Sequence, residues 1–234
     1  MRFKEFIDID SLRHAKIDEK PVKNYKGDYK NLDIAKPSSN GSDKTYQELN
    51  DMQDMFKDRN EVIEKSVKDH DDQVGYAVKK YLDDNNLEYK ESDIDKIAEI
   101  GSGIVRYYKN KFERIRPYQL AEALNMKFDH MPLDSDSMKS PAYPSGHSLQ
   151  SRLIAEYYAE QYPEHRKGLI AGAEECGKGR IYAGWHYPSD HTASVKLAKQ
   201  IYPNITMRKT FKESIIDIPR RTYAPKVFDD ADTK

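Results

Sequence analysis

A single cysteine, Cys176, in 234 residues excludes an internal disulfide. The chain must therefore be held by its core, which a protein of this length can build without covalent staples. Apolar runs are short, and none approaches the roughly 20 residues that a bilayer-spanning helix needs. The opening MRFKEFIDID lacks both the apolar stretch and the cleavage pattern of a signal peptide. Charge of one sign is lacking as well. The 39 Lys and Arg balance 40 Asp and Glu to a net −1, which supplies no field for a nucleic acid polymer or an anionic membrane. No His, Cys, Asp and Glu cluster has metal-ligand spacing, so no metal and no cofactor is expected. From these absences we expect a cytoplasmic protein with neither nucleic acid nor membrane among its partners; a homo-oligomer is left open.

What the chain does have is charge on 34% of its residues and 17 Tyr against 7 Phe, a polar surface with many aromatics whose hydroxyls need water or a partner. Residues 1–44 are polar, rich in turn formers and without periodicity, and read as an arm over the surface. From Thr45 the texture is helical. Leu49, Met52, Met55, Phe56, Val62, Ile63 and Val67 recur at helical spacing over 45–69, and Val74, Ala77, Val78, Tyr81 and Leu82 over 72–84. Ser92 and Asp93 are placed to cap a helix that begins near Ile94 and stops near Arg116, because Pro117 disfavours helix at the residue before it. After a loop over 125–143, helices are expected over about 145–161, 164–180 and 188–201, the last opening on Pro188. No alternating strand pattern of useful length occurs. The expected architecture is all-α, six or seven helices in a single-domain bundle over 45–203, followed by a mixed tail over 204–234.

Three segments carry candidate chemistry. In KNKFERIRP, Lys109 and Arg116 lie seven residues apart. On one helix that puts both cations on one face about 10 Å apart along the axis, able to grip an anion. By itself the segment is equally a solvated basic face, and Lys111 and Arg114 beside it fit that description. In YPSGH, Ser145 and Gly146 open a helix whose first-turn N–H groups are suited to phosphate oxygens, with His147 close by. Its bland alternative is a Ser-capped helix with an incidental histidine. In GRIYAGWHYPSD, Arg180, His186 and Asp190 follow R-x5-H-x3-D. A carboxylate beside a histidine holds one ring nitrogen as donor and leaves the other free to attack, and arginine presents a fork matched to phosphate. Here the bland alternative is a turn with a capping Asp. The run around His70, with Asp69, Asp71 and Asp72, reads as a solvated helix face. Cys176 reads as a buried structural thiol, and His14, His130, His165 and His191 as residues outside the chemistry.

Taken together, K-x6-R-P, P-S-G-H and R-x5-H-x3-D in that order resemble the tripartite signature of the PAP2 superfamily. Residues 45–202 further resemble the soluble bacterial class A acid phosphatases of that superfamily. The resemblance implies the PAP2 type of helical bundle and a metal-independent phosphoric monoester hydrolase. It implies His186 as nucleophile forming a phosphohistidine, Asp190 as its orienting carboxylate and His147 as general acid. Lys109, Arg116, Ser145, Gly146 and Arg180 would bind the phosphate. The expected substrate is a small soluble phosphomonoester, nucleotides among the candidates. Family relatives are often periplasmic. Gly179 departs from the pattern, which usually has Ser there. A vanadate-dependent haloperoxidase uses the same pocket, and a non-enzymatic anion-binding protein could keep the scaffold. A lipid phosphatase of the membrane branch is disfavoured by the short apolar runs.

With three fixed cations in the role that a metal ion plays elsewhere, activity on an aryl phosphate should survive EDTA. Loss on chelation that a divalent ion restores would refute this. Bromide peroxidation by vanadate-loaded protein, without phosphate release, would favour the haloperoxidase.

Overall fold

In the computed structural model, the structure describes residue 12, residues 14–132 and residues 136–207. The expected tail beyond 207 and the first part of the arm lie outside the described residues. Eight α-helices occur among the described residues: α1 (Asp43–Phe56), α2 (Glu61–Asp72), α3 (Tyr76–Asp84), α4 (Glu91–Phe112), α5 (Pro117–Ala123), α6 (Gly146–Gln161), α7 (Arg166–Tyr182) and α8 (Pro188–Ile201). No strand occurs among them, only an isolated antiparallel bridge between Tyr25 and Ile205. The all-α expectation holds.

The centre of the bundle is α6, which packs against α4, α7 and α8. Leu149, Leu153, Ile154, Ala155, Tyr157 and Tyr158 are buried, and so are Ser148, Ser151 and the ion-paired Arg152 and Glu156 at 2.9 Å, which leaves hardly any of the helix exposed. On α4, Ile94, Ile97, Ile100, Ile104 and Tyr108 form the facing stripe at i, i+3, i+4 spacing. The described part of the arm packs against the same core through Val22, Tyr25, Tyr29, Leu32 and Ile34. The hydroxyl of Tyr108 anchors it, donating to Tyr29 O at 2.8 Å and accepting from Leu32 N at 3.1 Å.

Several boundaries differ from expectation. The 45–69 stretch is two helices: α1 ends at Phe56, and Asn60 caps the next, its side chain accepting from the N–H groups of Val62 and Ile63. Helix α4 begins at Glu91 without a side-chain cap, so Ser92 and Asp93 lie inside it. It also ends at Phe112, four residues before Arg116, where Glu113 turns left-handed at φ 49°. Pro117 still acts as expected, holding Arg116 extended at ψ 149°. It opens α5, a short helix that the periodicity did not show. Helices α6 and α8 begin and end where the sequence placed them.

Close approach fixes the α3–α7 crossing. A Cβ at Gly172 would stand 3.0–3.1 Å from the backbone of Ala77 and Val78. Gly172→Leu should therefore destabilise the fold by about 1–3 kcal/mol through overpacking. This would appear as a lower urea midpoint with unchanged slope; an unmoved midpoint would show that α3 yields.

Candidate active site

A cavity of about 240 Å³ opens between α4, α6 and the loops before α6 and α8. Its wall includes Lys109, Arg116, Ser140, Gly146, His147 and His186. The remaining motif residues, Ser145, Arg180 and Asp190, are fully buried and do not line it. Lys109 and Arg116 do not share a helix face, as the sequence spacing implied. Lys109 sits in the last turn of α4 and Arg116 at the N-cap of α5, and the left-handed turn at Glu113 folds them toward one point. Both reach Ser140, Lys109 Nζ at 3.1 Å and Arg116 Nη2 at 3.3 Å from its Oγ. Arg116 is held further by Ser140 O at 2.8 Å and Trp185 O at 2.9 Å, and Lys109 donates to Pro141 O.

His186 and Asp190 meet at the start of α8. Asp190 Oδ2 accepts from Tyr187 N at 3.0 Å, the reciprocal bond of a helix N-terminus, and lies 3.2 Å from His186 Nδ1. On the other side of the ring, His186 Nε2 lies 3.0 Å from Arg116 Nη1. A guanidinium only donates, so Nε2 is the acceptor and Nδ1 carries the hydrogen given to Asp190. The ring is thus fixed in the tautomer whose lone pair faces the cavity.

Ser145 caps α6, its Oγ accepting from Ser148 N at 3.4 Å and Ser148 Oγ at 2.9 Å. The first-turn N–H groups of Gly146 and His147 have no partner within the helix and border the cavity. Arg180 lies behind, its guanidinium over the Trp185 ring at 4.3 Å and its Nη1 2.5 Å from Asp71 Oδ1. The same carboxylate oxygen is 3.8 Å from His147 Nε2.

Two groups were missed in the sequence. The D-H-D-D run is not a uniformly solvated face, since His70 is buried and Asp71 turns inward to Arg180. Arg114 is not a surface cation but is fully buried, bound to Asp190 at 2.6 Å and Glu48 at 2.7 Å. Alternation of Arg114 with Arg116 just before a proline was the one visible signal. His191 bonds Ser148 and Glu174 instead of reaching the cavity. Cys176 is buried, with its thiol pushed up to about 11 by desolvation. A side chain at Gly179 would meet Val67 of α2 at 3.4 Å, not the cavity. Among the described residues, no group of three His, Cys, Asp or Glu side chains could hold a metal ion.

The electrostatics describe a site built for an anion. Burial holds Lys109 well below its ordinary value, helped by Arg116, and lowers Arg116 to about 10, helped by Arg180. Burial likewise holds His147 and His186 well below 6.5; Arg180 adds most to the effect at His147 and Arg116 at His186. Neutral buried histidines must be charged when the chain unfolds in acid. Their folded values lie below the unfolded one, so the unfolded state binds more protons below about pH 6.5, and stability falls as pH drops through that value. Urea unfolding at pH 7.5 and 5.5 should show this loss, and inorganic phosphate, by favouring the charged forms, should reduce it. Equal stability at the two pH values, without phosphate, would contradict the buried-neutral state.

Known proteins resemble parts of this chain. Residues 97–199 match the family model of the PAP2 superfamily. The non-specific acid phosphatase of Providencia stuartii is 27% identical over 122 residues, 51% of this chain and 47% of that protein. That of Salmonella typhimurium is 27% identical over 114 residues, 47% of this chain and 43% of that protein. The chain thus spans about half the length of the curated relatives it matches. Among solved structures, a transmembrane PAP2 type phosphatidylglycerolphosphate phosphatase from Bacillus subtilis is similar at 18% identity and TM-score 0.46, over 75% of this chain and 89% of that chain. Among the described residues no helix is long and apolar enough to cross a membrane. Even so, the expected partners, a soluble small-molecule phosphomonoester with no membrane, are corrected by this likeness to a membrane lipid phosphatase. The physical reason is that the motif residues gather at one end of a small cavity, and nothing in them distinguishes what an anionic group there would be attached to. The stretch from 97 to 199 holds every motif residue of the site and matches the PAP2 superfamily, so the resemblance read from the three motifs is borne out.

Proposed function

We propose that this protein hydrolyses phosphate monoesters by transferring the phosphoryl group to His186. The observation that carries the proposal is the fixed tautomer of His186, with Nδ1 on Asp190 and the Nε2 lone pair toward a cavity walled by Lys109 and Arg116. A phosphate oxygen arriving there takes over the Arg116 donor and releases that lone pair. Nε2 forms the N–P bond as the P–O ester bond breaks, with the equatorial oxygens held by Lys109, Arg116 and the N–H groups of α6. Arg180 contributes its charge from behind. His147 gives its proton to the leaving alkoxide. Burial and the surrounding cations disfavour protonated His147, and a bound dianion offsets those cations, so substrate itself loads the general acid. Water then attacks phosphorus, His147 takes its proton, the N–P bond breaks and inorganic phosphate leaves. The noun "acid phosphatase" fits the relatives by name; for this chain the proposed class is phosphoric monoester hydrolase, with the alcohol carrier unassigned.

His186→Ala should abolish turnover and the acid-labile phosphoenzyme seen on acid quench. His147→Ala should lose more activity on an alkyl phosphate than on p-nitrophenyl phosphate, whose leaving group needs no proton, and should accumulate phosphoenzyme. Near-normal turnover by His186→Ala, or label on Ser145 or Cys176, would refute the assignment. Orthovanadate, which adopts the five-coordinate geometry of the transition state, should inhibit at micromolar levels; phosphate release indifferent to millimolar vanadate would count against the mechanism.

A further inference from the structure

One buried and heavily bonded side chain on Asp190 is not used by the proposed steps. Arg114 is fully buried between α1 and α8. Its Nη1 donates to Asp190 Oδ1 at 2.6 Å and Ser189 Oγ at 2.7 Å, and its Nη2 to Glu48 Oε2 at 2.7 Å. Its guanidinium lies 3.8 Å from the centre of the Tyr187 ring. Glu48, on α1, uses its other oxygen to accept from Ser189 N at 2.9 Å. The two oxygens of Asp190 are thereby divided: Oδ1 goes to Arg114, and Oδ2 to Tyr187 N and His186 Nδ1. Asp190 cannot rotate without breaking one of these bonds.

Charge gives the arrangement its second property. A buried arginine directly on Asp190 would cancel the carboxylate that must stabilise His186 when it becomes positively charged on attacking phosphorus. The ionised set Glu48, Arg114 and Asp190 instead sums to −1, which matches that single positive charge. Besides the Ala142 backbone, to which it is hydrogen-bonded, His186 faces cations or potential cations on its other sides: Lys109 of α4, Arg116 before α5, His147 of α6 and Arg180 of α7. The negative charge next to the ring is that of this brace.

Resting on the reading of His186 as nucleophile, we propose that Arg114 and Glu48 are positioning residues, Arg114 locking Asp190 in place and Glu48 restoring the negative charge that Arg114 would cancel. This predicts different failures for the two. Glu48→Gln keeps an oxygen for the Ser189 N–H and removes only charge. Its thermal midpoint and the inhibition constant of inorganic phosphate should stay close to wild type. The single-turnover rate of phosphohistidine formation should fall by roughly an order of magnitude, the scale expected for losing one nearby unit charge at an effective dielectric of about 20. Arg114→Lys keeps charge but replaces a planar fork with a point donor that cannot serve both carboxylates. It should lower kcat with KM little changed, and ¹⁵N spectra should show His186 losing its single Nδ1–H tautomer.

A wild-type transfer rate in Glu48→Gln would overturn the charge role. A wild-type kcat and tautomer in Arg114→Lys would overturn the positioning role. If the unmutated protein forms no phosphohistidine with any ester, the proposed reaction fails instead; the tautomer spectra, which need no turnover, still decide whether the brace holds the ring.

Discussion

Everything around the cavity answers to one constraint: Lys109, Arg116 and Arg180 are withdrawn from water around a single small space. Buried cations are tolerated only when paired or hydrogen-bonded. Arg180 pairs with Asp71, Arg116 donates to carbonyl oxygens of Ser140 and Trp185, and Lys109 donates to the neutral oxygens of Ser140 and Pro141. Burial first, and the neighbouring cations after it, depress both histidines. In the proposed reaction a phosphate group offsets those cations, so affinity for an anion and readiness of the general acid share a physical origin.

The scaffold serves this by placing chain turns, not helix interiors, at the site. Lys109 ends α4, Arg116 precedes α5, Ser145 to His147 open α6, Arg180 lies in the last turn of α7, and His186 to Asp190 lead into α8. Helix ends carry unpaired backbone groups and abrupt changes of direction, so side chains distant in sequence converge there while the helix bodies bury the apolar core. The cost falls on the segments between helices, each pinned by specific bonds such as Ala142 N to Arg114 O at 2.8 Å and Trp185 NH to Met131 O at 3.0 Å.

The identity of the substrate's alcohol is a separate matter from the chemistry. Away from the motif residues the cavity is bordered by Ile17, Ser102, Val105, Arg106 and Gln150, drawn from the arm and from helices α4 and α6. None belongs to a motif. The arm residue Ile17 is clamped there by Asn110, which accepts from its N–H at 2.9 Å and donates to its carbonyl at 2.8 Å. The polar segment that looked like a surface appendage thus forms part of the site's outer wall.

The sequence by itself determined the helical class and the start of α6 at Ser145 and of α8 at Pro188, because these depend on local rules: periodicity, capping and the conformational limits of proline; the motif residues were legible only through their resemblance to a family signature. It could not determine how Lys109 and Arg116 meet, since the left-handed turn at Glu113 has no glycine to announce it. Nor could it distinguish Arg114 and Asp71 from solvated charges, because a charged side chain reveals its burial only when its partner is brought up from elsewhere in the chain. Glu48 lies 66 residues from Arg114, and Asp71 lies 109 from Arg180. Pairings across such separations are fixed by the packing of α1 and α2 against the rest of the bundle, which only the tertiary structure decides.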